Sequence, residues 1–81
     1  MPTVRVLCCG PLRAACGDTL AIELPAAADG RALLAALATR QPSLAGLIGV
    51  SRLAAGDAFL DLAAPLPADA EVVVIPPVSG G

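Results

Sequence analysis

The hydrophobic pattern of the chain switches from strand period to helix period and back. TVRVLCC (residues 3–9) is compact and β-branched and predicts a first strand. GPLRAACGD follows, with Gly10-Pro11 and Gly17-Asp18 as punctuation around a short helical turn. TLAIEL alternates, with Leu20, Ile22 and Leu24 on one face and Ala21 and Glu23 on the other, so a half-exposed second strand should end at Pro25. The spacing suits an antiparallel pair joined by a loop longer than a tight hairpin. Helical period takes over in ADGRALLAALATRQPS, where Leu33, Leu34, Leu37 and Ala38 make one apolar face. Asp29 can cap the first turn, Arg40 sits near the negative end of the helix dipole, and Pro42 stops the helix. LAGLIGVSRLAAGD reads as a short second helix and a loop, AFLDL as a short strand and APLPADAE as a proline-rich turn region. EVVVI (residues 71–75) is a continuous aliphatic run, expected of a central strand buried on both faces.

The order β-β-α-(α)-β-β gives an α+β domain, a mixed sheet of four to five strands with one main helix across one face. If the first and last strands are both central, they are parallel neighbours, and the chain between them supplies the crossover. This is the β-grasp, or ubiquitin-like, arrangement. It divides the chain into a domain over residues 1–75 and an extended tail over residues 76–81. One helix covers one face of such a sheet. Either Val4, Val6 and Cys8 or Leu7 and Cys9, together with half of residues 72–75, then lie on the other face. That face is a contact surface for another protein unless loops cover it.

Composition narrows the choice of chemistry. Of 81 residues 57% are hydrophobic, but 18 of these are alanine, so branched aliphatics must do most of the packing. Phe59, the sole aromatic, is a candidate partner contact, although a lone aromatic in so small a domain is more often core. Seven acids face five arginines and no lysine, for a net charge of −2, and no basic stripe supports nucleic-acid binding. No apolar run approaches the roughly 20 residues of a membrane span. MPTVRV lacks the pattern of a secretory signal, which predicts a cytoplasmic protein. The odd count of cysteines (Cys8, Cys9, Cys16) argues against a disulfide framework and for three reduced thiols, mostly buried, with Cys8 and Cys9 on opposite faces. Without histidine there is no Ser-His-Asp or Cys-His pair, and a closed zinc site would need carboxylates to complete it. No glycine-rich stretch matches a phosphate loop. Asp57 and Asp61 read as solvated turn residues, and Arg13 and Arg31 as surface arginines. The residue content makes a poor independent enzyme.

The tail is different. Pro76 and Pro77 cannot donate to a sheet ladder and favour extended polyproline geometry, which carries VSGG away from the domain body. Gly80 and Gly81 have no side chains, so the tip is narrow and able to thread a tight channel with a bare carboxylate at its end.

The opening VRVLCCGPLRAACG, the capped central helix, the approach PLPADAEVVVIPP and the terminal PPVSGG together resemble the MoaD/ThiS family of ubiquitin-like sulfur carriers. The chain departs from that family's usual turn residues at AAGD and ADAE. The resemblance implies that an adenylating partner uses ATP and Mg²⁺ to activate the Gly81 carboxylate. Sulfur from a cysteine desulfurase or a rhodanese then gives a thiocarboxylate. In the molybdopterin branch, to which PPVSGG and the chain length lean, the tail enters the large subunit of molybdopterin synthase and gives its sulfur to a cyclic pterin precursor. No cofactor would be bound by the carrier itself. Gly81 and Gly80 would be the reactive end, with Pro76, Pro77, Val78, Ser79 and Phe59 contacting partners. Three other readings compete: a carrier for thiazole, cysteine or thio-natural-product synthesis, a modifier that attaches its terminal glycine to lysines of other proteins, and a plain interaction module.

Overall fold

The structure, a computed structural model, describes residues 2–13, 17, 19–67, 69 and 71–77. Its elements are β1 (Thr3–Cys8), β2 (Leu20–Glu23), α1 (Gly30–Arg40), α2 (Ala45–Gly49), β3 (Arg52–Ala55), β4 (Ala58–Phe59) and β5 (Glu71–Ile75), with short 3-10 turns at Gly10–Leu12 and Pro42–Leu44. The five strands form one mixed sheet in the order β2-β1-β5-β3-β4. β1 pairs antiparallel with β2 and parallel with β5, and β3 pairs antiparallel with both β5 and β4. The parallel β1–β5 pair expected for two central strands is therefore present. The chain between these strands contains both helices, which is how a parallel neighbour is reached.

α1 begins as its sequence demands. Asp29 is extended and its Oδ1 accepts the Ala32 N–H at 2.9 Å, satisfying a donor that the first turn leaves unpaired. Leu33, Leu34 and Leu37 are buried against the sheet, each worth about 2 kcal/mol by area. From the sheet side they meet Val6, Cys8, Ile22, Leu53, Val72 and Val74. Leu12 and Ile48 close the core at its margins. The one buried polar residue among those described, Ser51, donates its hydroxyl to the Leu47 carbonyl at 2.8 Å and so leaves nothing unpaired.

Three expectations need correction. Arg52–Ala55, read as loop, is a strand. RLAA has weak intrinsic preference for a sheet, and pairing with β5 overrides it once Leu53 has a place in the core. AFLDL forms only the two-residue β4, because the Asp61 carboxylate accepts the Ala63 N–H at 2.9 Å and turns the chain away. β5 is central but buried on one face only: Val72 and Val74 lie under the helix, whereas Val73 and Ile75 are half-buried on the face the helix leaves open. The β3–β4 connection is a two-residue turn with Gly56 at φ +60°, a conformation favoured in such hairpins and easy only for glycine. Ala27 adopts a similar left-handed conformation (φ +64°) without that freedom.

The adjacent cysteines part as strand alternation requires, Cys8 buried and Cys9 exposed. Cys9 is a free thiol, but it is not buried, and Cys8 is disulfide-bonded. The expectation of three reduced, mostly buried thiols therefore fails at both positions; Cys16 lies outside the described residues. Among the described residues no helix is long and apolar enough to cross a membrane.

Candidate functional site at the root of the tail

The sheet face opposite the helix is built by strict alternation. Leu7 pairs with Val73, Val73 with Ala54, and Ala54 with Phe59, which draws an apolar row across four strands. One step toward the tail, Ile75 pairs with Arg52. One step the other way, Arg5 lies between Ala21 and Glu71. Leu7, Val73, Ala54 and Ile75 are half-buried by one another. The open face expected from a single covering helix is therefore the one that carries Leu7, Val73 and Ile75.

Phe59 is not core. Its pairing with Ala54 on the edge strand turns the ring to this open face, where it is 61% exposed. Leucines and valines already fill the space under the helix. The Arg52 guanidinium lies 5.4 Å from the ring centroid, within cation–π range. Val50, 64% exposed, stands beside it at the end of α2. Together with Ile75, Pro76 and Pro77 these residues line a shallow groove. The tail thus departs from the rim of an exposed apolar patch. Pro76 is buried and Pro77 exposed, so the chain leaves the domain surface between them.

Of the residues named from sequence, the structure brings Phe59, Pro76 and Pro77 together. Val78, Ser79, Gly80 and Gly81 lie outside the described residues. Sequence reasoning missed Val50 and Arg52 because it took their segment for helix end and loop. The signal was the inward Leu53 flanked by outward residues, too short a pattern to separate from loop. Among the described residues no group of three or more metal-ligating side chains comes together. A hollow of about 300 Å³ between Pro2, Val4, Leu24, Ala28, Leu66 and Pro67 opens at the other end of β1, and its lining adds only the Asp69 carboxylate.

A mixed sheet in this order, with a helix across one face and its central parallel strand running into the tail, defines the ubiquitin-like β-grasp class. The sequence matches the ThiS family over residues 6–81, and the chain belongs to that MoaD/ThiS family of small β-grasp proteins. No curated protein matches it. Among solved structures, molybdopterin converting factor subunit 1 from Pyrococcus furiosus superimposes with a TM-score of 0.79 at 23% identity, over 96% of this chain and 100% of that one. Small archaeal modifier protein 1 of Haloferax volcanii gives 0.78 at 18% identity, over 96% and 100%. A complex of subunits 1 and 2 of molybdopterin-converting factor from Helicobacter pylori gives 0.63 at 28% identity, over 98% of this chain and 99% of the matched one.

Proposed function

We propose that the chain is a sulfur carrier and the small subunit of a molybdopterin synthase. The observation that carries this reading is the ThiS family match, which runs through residues 6–81 and so takes in the glycines of the tail. The Helicobacter pylori complex of subunits 1 and 2 supports a larger partner subunit.

The chemistry explains why such a chain needs partners. A carboxylate resists sulfur nucleophiles because oxide or hydroxide would have to leave. Attack of a Gly81 carboxylate oxygen on the α-phosphate of ATP, with Mg²⁺ held by the adenylating enzyme, expels pyrophosphate and forms an acyl-adenylate. Hydrosulfide, delivered as an equivalent by a desulfurase or rhodanese, then adds to the acyl carbon. AMP departs with the electron pair of the broken C–O bond, leaving the thiocarboxylate. Its sulfur is the nucleophile that attacks the pterin precursor in the large subunit. This chain supplies reach and a narrow tip. Pro76 and Pro77 hold the exit extended, Val78 and Ser79 span the partner's channel, and Gly80 and Gly81 pass where a side chain would not. The apolar patch around Phe59 seats the partner while the tail is inserted.

The test is reconstitution. Thiocarboxylated chain, the cognate large subunit and the cyclic pterin precursor should yield dithiolene product as sulfur is lost from Gly81. No product, with a large subunit verified on another carrier, removes the molybdopterin assignment and leaves a carrier for another pathway. The likeness in fold to the archaeal modifier favours a second reading, attachment of Gly81 to lysines of other proteins. Amide adducts of this chain in a lysate would support it. Having no lysine, the chain would cap targets without building lysine-linked polymers.

A further inference from the structure

Charges on the open face are sorted along the strands. Thr3 pairs with Glu23 and Arg5 with Glu71, so both glutamates lie toward the end of the sheet away from the tail. The β3–β4 turn puts Asp57 on that same side. Arg52 is opposite Ile75 at the other end, in the groove with Pro76 and Pro77. Exposed Arg13 follows the 3-10 turn that leaves β1 at this end. Asp61, which follows β4, is occupied with the Ala63 N–H rather than with Arg52. Among the described residues the one interaction of the Arg52 guanidinium is with the Phe59 ring.

A planar cation resting on an aromatic ring is oriented before any partner arrives, and its N–H fork matches a carboxylate. Burying it under a partner without an acceptor would leave an unpaired charge at the centre of the contact. We propose that Arg52 determines partner specificity. The adenylating partner that receives the tail presents an aliphatic projection to Val50, Phe59 and Ile75 and a carboxylate to the Arg52 guanidinium. The inference rests on the sulfur-carrier reading and identifies the kind of surface that reads this face.

Its test is kcat/KM for this chain in adenylation by the cognate enzyme, followed as ATP–pyrophosphate exchange at low and high NaCl. Arg52→Glu should lower kcat/KM roughly tenfold or more at low salt, because it puts like charges face to face. The loss should fall on KM with kcat unchanged, and should shrink as salt screens the contact. Arg52→Lys, which keeps the charge and loses the planar fork, should fall between. R52E with the wild-type KM, or with its loss in kcat, overturns this proposal and leaves the carrier reading standing. Wild-type chain that supports no exchange, with an enzyme verified on another carrier, overturns the carrier reading and this proposal with it.

Discussion

Gly30 opens α1 in the tightest contact between the helix and the sheet. A Cβ built there would lie 2.9 Å from Leu53 Cδ1, 2.9 Å from Leu62 Cδ2 and 3.1 Å from Leu62 Cα. Helix propensity alone favours Gly30→Ala, by up to about 1 kcal/mol in a helix interior and less in the first turn. Packing opposes it. Leu53 is fully buried and has no solvent to swing into. Leu62 is fixed through its backbone, since its carbonyl accepts the Arg31 N–H at 3.2 Å. Overpacking of this kind costs about 1–3 kcal/mol. The net prediction is a loss of about 1–2 kcal/mol, a fall in Tm of roughly 5–15 °C for a domain of this size. Urea unfolding followed by circular dichroism should show a lower midpoint with an unchanged slope. A variant as stable as wild type, or more so, would show that the helix does not sit this close to β3, and the packing argument would fail with it.

Two further substitutions separate folding from partner contact. Ala27→Gly relieves a left-handed residue and should stabilise the domain by about 0.5–1 kcal/mol, offset in part by greater unfolded-state freedom; a thermal melt at or below the wild-type Tm would contradict this. Phe59→Ser removes an exposed ring and one cation–π contact, so the urea midpoint should move by no more than about 1 kcal/mol equivalent. KM for adenylation should nevertheless rise. A large loss of stability would mean that the ring is structural, and an unchanged KM would remove it from the contact surface.

The legibility of the chain followed the strength of its local signals. α1 carries a cap, an apolar face, a basic last turn and a proline stop within one stretch, and its structure matches each of them. The parallel β1–β5 pair was legible because two aliphatic strands flanked a helical segment. β3 was not, because Arg-Leu-Ala-Ala becomes a strand only when β5 offers it a ladder and the core offers Leu53 a site. The burial of β5 was overread for a related reason. A run of aliphatics does not say whether its outer face is covered, and Val73 and Ile75 face outward with Leu7 and Phe59 beside them. Phe59 was ambiguous since composition favours core for a lone aromatic, and only the edge position of β4 turns it out. The tail motif was legible as chemistry, whereas the groove at its root required the fold, because Val50, Arg52, Phe59 and Ile75 meet only through strand pairing.

The central claim is that the end of this chain carries sulfur. Intact mass before and after incubation with the adenylating enzyme, ATP, Mg²⁺ and a sulfide source tests it most directly. The account predicts a gain equal to the exchange of one oxygen for one sulfur, dependent on ATP and lost when Gly81 is deleted. An unchanged mass, with the same enzyme shown to thiolate another carrier, would contradict it.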